Sequence, residues 1–162
     1  MDTLSSMAAS VGELLKEHQH TIAVAESSCG GLISASLVAI PGASAYYIGG
    51  AVIYTRAAQQ GLLQVPGHSM ANIRASSEPY ALLNARTMRE CLGTTWALSE
   101  TGASGPTGNR YGDPTGHACF AVAGPIEQVT TLETRSADRE TNMQVFAKAA
   151  LDLLEWCLRK SR

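Results

Sequence analysis

Ala23-Val24-Ala25-Glu26-Ser27-Ser28-Cys29-Gly30-Gly31-Leu32-Ile33-Ser34-Ala35 decides how this chain reads. A β-prone run, Thr21 to Ala25, ends in small polar residues and two glycines, and an apolar helical pattern opens at Leu32. That is the signature of a buried strand feeding a helix through a tight turn. Such a turn is expected to leave free backbone N–H groups pointing at whatever sits above the sheet edge. Two hydroxyls and a thiol are crowded onto it.

Working outward, Leu4, Met7, Ala8, Val11, Leu14 and Leu15 recur at helical spacing and predict an amphipathic helix over 3–18. After the turn a helix is expected from Gly30 to Ala39, stopped by Pro41-Gly42. Ile48 to Tyr54 reads as a strand whose Gly49-Gly50 mark a bulge or a close backbone approach. Thr55 can cap a short helix through Leu63. Ser77-Glu78-Pro79 opens another helix, with Leu82, Ala85, Met88 and Leu92 on one face.

Thr95 to Ser99 is a short apolar strand running into a glycine-rich loop, Glu100 to Gly116. His117–Ala123 and Gln128–Thr134 predict a hairpin through Gly124-Pro125, and a last helix is expected from Asp138 to Leu158. Strands alternating with helices, with no internal repeat or linker, imply one α/β domain over 1–162. Its architecture is a three-layer α/β/α sandwich, mostly parallel, with one antiparallel hairpin.

Composition narrows the function classes. The chain has 162 residues, 45% apolar, with a net charge of −2. It has no basic stripe with interleaved aromatics, which argues against a nucleic-acid partner. No run is apolar enough to span a bilayer, and the N-terminus lacks a signal-peptide pattern, so the expected location is the cytoplasm. Cys29, Cys91, Cys119 and Cys157 are scattered, and His18, His20, His68 and His117 form no helical pair. The expectation is reduced thiols with neither a metal site nor a cofactor.

In such a sheet, ligands sit at the carboxyl ends of the strands. The loops expected there are 26–31, the stretch around Tyr54, and 100–116. All are rich in glycine and hydroxyls and poor in charge, which suits an anionic or phosphorylated small molecule. Ser27 fits a nucleophile as well as it fits a helix cap. It has no nearby base unless the fold brings in His68 or His117. Cys29 is either a thiol activated by the helix dipole or a small residue filling the turn. Tyr54 either donates to an oxyanion or packs, and Arg56 and Arg139 either bind a phosphate or are solvated.

Taken together, these motifs resemble the CinA C-terminal domain family of competence/damage-inducible proteins. Ala25-Glu26-Ser27-Ser28-Cys29-Gly30-Gly31 is similar to its Ala-Glu-Ser-Cys-Thr-Gly-Gly, and Gly49-Gly50-Ala51-Val52-Ile53-Tyr54 to its Gly-x-Val-x-Tyr. Pro41-Gly42-Ala43-Ser44, Ser77-Glu78-Pro79, Thr101-Gly102-Ala103-Ser104-Gly105-Pro106, Pro114-Thr115-Gly116 and Asp138-Arg139 follow in family order. The resemblance is to a stand-alone domain, without the molybdopterin-binding-like domain that precedes it in longer members.

The resemblance implies a nicotinamide mononucleotide amidase, giving nicotinate mononucleotide and ammonia. In that scheme the nucleophile falls on Ser27 and an assisting tyrosine on Tyr54. Substrate contacts fall on Gly30, Gly31, Thr101, Gly102, Ser104 and Gly105, with Arg139 for the phosphate. It also implies a homo-oligomer. Two positions depart from the pattern: the family lysine is Gln59, and the assisting threonine is Cys29. Glutamine takes no proton from serine at neutral pH, and losing a general base costs roughly 10²–10⁴ in rate. The alternatives are a relative that binds a phosphorylated nucleotide without turning it over, and a hydrolase using Cys29.

Overall fold

A computed structural model describes residues 2–161. Its helices begin where small polar side chains can cap them. Thr3 closes a capping box on α1 (Leu4–His18), Ser77 caps α4 (Glu78–Leu92), and Asp138 caps α5 (Arg139–Lys160). Between α1 and α4 lie β1 (Ile22–Glu26), α2 (Leu32–Val38), β2 (Tyr47–Val52) and α3 (Arg56–Ala58). Thr55 caps α3, which runs directly into a π-helical turn, Gln59–Leu63. After α4 come β3 (Trp96–Ala103), β4 (His117–Ala123) and β5 (Gln128–Glu133).

The five strands form one sheet in the order β2-β1-β3-β4-β5. β1 pairs parallel with β2 and β3, while β3–β4 and β4–β5 are antiparallel. Only β4 therefore runs against the rest, which accords with the expected mostly parallel sheet and its hairpin.

Side-chain alternation along the strands separates two cores. Ile22, Val24, Trp96 and Leu98 pack with α1, α2 and α5 on one face. Ala23, Ala25, Ala97, Ala121 and Ala123 face α4, which answers with Ala81 and Ala85. Small residues on both surfaces let that helix lie close to the strands. Gly50 serves a similar end, since a Cβ there would stand 2.5 Å from the Val24 carbonyl oxygen.

Several boundaries differ from the sequence reading. α2 starts at Leu32 rather than Gly30, because Gly30 and Gly31 take positive φ (65° and 109°) to turn the chain out of β1. β2 stops at Val52, leaving Tyr54 beyond it. Most consequentially, Glu100 to Ala103 belong to β3 and not to the following loop. Their pairing with β4 (Glu100 opposite Phe120, Gly102 opposite Ala118) extends the strand past the apolar run that announced it.

Candidate functional site

The carboxyl ends of β1, β2 and β3 meet at one edge of the sheet, and there the 27–31 turn is wired to two buried carboxylates. Glu26, at the end of β1, accepts hydrogen bonds from the N–H groups of Gly31 (3.1 Å), Ile33 (2.9 Å) and Ser34 (2.8 Å). It thereby occupies the N-terminus of α2, where a negative charge is favoured by the exposed amide dipoles. Glu100 reaches over from β3. Its Oε1 accepts from Ser27 N (3.0 Å) and Cys29 N (2.9 Å), and its Oε2 accepts from the Ser28 hydroxyl. Gly30 N donates to Ser27 O at 3.1 Å.

These bonds correct the expectation of free N–H groups at four of the five amides of the turn. The amides of Ser27, Cys29, Gly30 and Gly31 are consumed inside the turn, so Gly30 and Gly31 offer a ligand no backbone donor. Burial pushes the Glu100 carboxyl above its ordinary range, with nearby Glu26 adding to the rise. The bonds from Ser28, Cys29 and Ser27 oppose it.

Beside the turn lies a cleft of about 230 Å³, lined by Ser28, Tyr54, Asn109, Arg139 and residues 102–105. Arg139 spans it: Nη2 donates to Tyr54 Oη (2.9 Å) and Nη1 to the Gly105 carbonyl. Thus α5, β2's exit and the loop after β3 converge, and Tyr54, Gly102, Ser104, Gly105 and Arg139 come together around one cleft. Ser104 is anchored through its carbonyl, which accepts from Asn142 Nδ2 at 2.8 Å.

Other predicted residues stand elsewhere. Thr101 is buried, and its hydroxyl accepts from Ser76 N at 3.1 Å. It braces the start of α4 and does not line the cleft. Ser27 is largely buried and is not among the lining residues; its neighbour Ser28 is. Cys29 is 0% exposed within the α5-side core, with Sγ directed to the Met143 carbonyl at 3.6 Å. Burial raises its thiol well above the ordinary value, and Glu100 and Glu26 add to the rise. That is the opposite of what an activated thiolate requires.

Gln59, at the family lysine position, is also 0% exposed. Its Nε2 donates to Asn84 Oδ1 on α4 (2.7 Å) and reaches Met70 Sδ (3.6 Å), while Gln59 Oε1 and Ser99 Oγ have no hydrogen-bond partner among the described residues. Its amide is thus tied into the α4 layer. His117 does not supply a base in its place, because its Nδ1 meets Glu133 and its Nε2 the Ser76 carbonyl (2.8 Å). His68 is exposed on the Gly67–Met70 turn.

Two residues escaped the sequence reading, Ser28 and Glu100. Ser28 was visible only as the second half of a serine pair. Glu100 looked like the first residue of a loop, because a carboxylate following a short apolar run ordinarily marks the way out to solvent.

Comparison with known proteins identifies the family and the fold. The CinA C-terminal domain family matches residues 4–158. A CinA-like protein of Trichormus variabilis is 38% identical over 152 residues, covering 92% of this chain and 36% of that protein. One from Sulfurihydrogenibium is 42% identical over 144 residues, covering 89% and 36% respectively. The chain therefore spans about a third of the length of such relatives.

Among solved structures, the competence damage-inducible protein A of Klebsiella pneumoniae superposes with a TM-score of 0.93 at 25% identity, covering 99% of this chain and 100% of that one. The Escherichia coli CinA superfamily protein gives 0.88 at 26%, covering 95% and 90%.

Proposed function

The chain belongs to the CinA C-terminal domain family, and on that premise we propose that its cleft takes a phosphorylated pyridine nucleotide and hydrolyses its carboxamide. The observation that carries the reading is the assembly of Tyr54, residues 102–105 and Arg139 around one cleft beside the 27–31 turn. These positions are far apart in sequence; the resemblance nominates Gly102, Ser104, Gly105 and Arg139 for substrate and Tyr54 as an assisting catalytic residue. Arg139 supplies a fixed cation for a phosphate, and its planar fork suits that geometry. Asn109 and Ser104 add polar groups for the remainder of the ligand.

The buried Gln59–Asn84 pair favours a second reading, in which the cleft binds the same ligand without turnover. Both are tested by ammonia release from nicotinamide mononucleotide, with binding followed by calorimetry. The hydrolytic reading predicts slow release that saturates with substrate. Arg139→Ala should raise KM about tenfold or more, as expected when one charge-assisted bond worth roughly 1.5–3 kcal/mol is lost. Saturable binding with no ammonia after prolonged incubation selects the second reading. No binding at all refutes both.

A further inference from the structure

We propose that Ser28 and Glu100 are the nucleophile and general base of this cleft, acting on the carbonyl of a carboxamide or ester carried by a phosphorylated small molecule. The proposal rests on the hydrolytic reading above and supplies the base that Gln59 cannot.

The geometry divides the work between the two oxygens of Glu100. Oε1 is held by the amides of Ser27 and Cys29, which fixes the carboxylate in one orientation. Oε2 receives the Ser28 hydroxyl. Bracing the turn through its backbone uses only the first oxygen; the second is spent on the hydroxyl of Ser28, the one serine of the turn among the residues that line the cleft. Glu100 sits at the centre of the sheet, fully buried, where a carboxylate holds a proton more readily than in water. That is the direction a base for serine requires. The other buried carboxylate, Glu26, is already taken up by the amides of α2.

Across the cleft, Tyr54 Oη accepts from Arg139, which leaves its own O–H to donate to a ligand. That hydroxyl and the guanidinium beside it are the donors the cleft offers to the negative charge of a ligand.

The steps balance as follows. Ser28 Oγ gives its proton to Glu100 Oε2 and bonds to the substrate carbonyl carbon, so that the carbonyl π bond opens to an alkoxide. The alkoxide collapses, the C–N bond breaks, and the leaving nitrogen takes the proton from Glu100 and departs as ammonia. Water then attacks the acyl-serine ester and gives a proton to Glu100. The C–O bond to Ser28 breaks, Glu100 returns the proton to Oγ, and the carboxylic acid product is released.

A fluorophosphonate tests the pair without any assumption about substrate. Displacement of its fluoride by a serine oxygen leaves a phosphonyl adduct that tandem mass spectrometry can place. The expected adduct is on Ser28, and it should disappear in Ser28→Ala, which leaves both amide bonds to Glu100 in place. Its rate should rise with pH through a limb above the ordinary carboxylate range. In Glu100→Gln, an isostere that keeps one oxygen for the two amides, the rate should fall about 100-fold or more and the limb should vanish.

An adduct on Ser27, no adduct, or an undiminished rate in a folded Glu100→Gln each overturns the proposal. Ammonia release from nicotinamide mononucleotide, run alongside, separates the two readings. Glu100-dependent labelling of Ser28 without ammonia leaves the pair standing and removes that substrate. Ammonia release that survives Ser28→Ala keeps the substrate and removes the pair.

Discussion

Replacing Glu26 by glutamine tests whether the donors of the 27–31 turn serve the fold or a ligand. In the native chain, Oε1 accepts from Gly31 and Ile33 and Oε2 from Ser34. An amide keeps one oxygen for the first two and turns an NH₂ toward the third, so one buried donor faces another. A hydrogen bond to a charged group contributes roughly 1.5–3 kcal/mol, and a buried donor left unmade costs a similar ~1–3 kcal/mol. The favourable placement of the charge at the first turn of α2, up to ~2 kcal/mol, is lost as well. Against this, glutamine removes the desolvation cost of a fully buried carboxylate, which is itself several kcal/mol in an unrelieved site.

The net expectation for Glu26→Gln is therefore a loss of about 2–3 kcal/mol, taken as the surplus of the lost bonds over the relieved charge. For a domain of this size each kcal/mol moves Tm by about 2–4 °C, so the variant should melt about 4–12 °C lower. Urea unfolding followed by far-UV circular dichroism measures the same loss as a shift in midpoint at constant slope. A change below about 0.5 kcal/mol, the ordinary range for a surface substitution, refutes the assignment of Glu26 as the cap of α2.

The remaining predictions concern other buried groups. Iodoacetamide at neutral pH should alkylate Cys91, the exposed thiol, and leave Cys29, Cys119 and Cys157 untouched until the chain is unfolded; burial raises the Cys157 thiol to about 11. Alkylation of native Cys29 would restore it as a nucleophile. Asn84→Leu should cost about 1–3 kcal/mol by leaving Gln59 Nε2 with only the weak acceptor Met70 Sδ, and adding Gln59→Met should recover most of it. Additive losses in that double-mutant cycle would show that the two amides do not depend on each other.

His117 makes stability fall as pH rises. Burial works to lower its affinity for a proton, but bonds to Glu133 and the Ser76 carbonyl and the charge of Asp113 outweigh burial and raise it. Its contribution is then complete below the ordinary imidazole value and is lost as pH climbs through the raised one. Urea midpoints at pH 6 and pH 8 should differ less in His117→Gln than in the native chain, and an unchanged difference would count against the raised value.

Much of this fold was legible because local signals agreed with one another. Thr3, Thr55, Ser77 and Asp138 each stand where a helix begins, and each was placed at or within one residue of its helix start by the sequence pattern. The hairpin strands and the glycine pair of β2 were equally plain. Of the residues that line the candidate cleft, Tyr54, Gly102, Ser104, Gly105 and Arg139 were named from motif order.

What the sequence could not display was the partner of each polar group. Glu100 lies 72 residues from Ser28 in the chain, and its place in β3 depends on pairing with β4. Gln59 likewise was legible only as the residue at the family lysine position, and its partner Asn84 on α4 was not. Ser27 and Ser28 are chemically alike, and only the turn's hydrogen bonds tell them apart.

The same carboxylates constrain how a ligand can lie. A strand–turn–helix elbow ordinarily meets a phosphate with its unpaired amides. Here Glu26 and Glu100 hold the amides of Ser27, Cys29, Gly31, Ile33 and Ser34 already, so a phosphate over the turn would find few donors and two buried acid groups close by. The favourable place for negative charge is the opposite wall, where Arg139 is tied to Tyr54 and the Gly105 carbonyl. On the proposed function the phosphate end of the ligand therefore points to α5, and the uncharged carboxamide end is left to face Ser28. A turn that has given up anion binding is freed to hold one hydroxyl against one carboxylate.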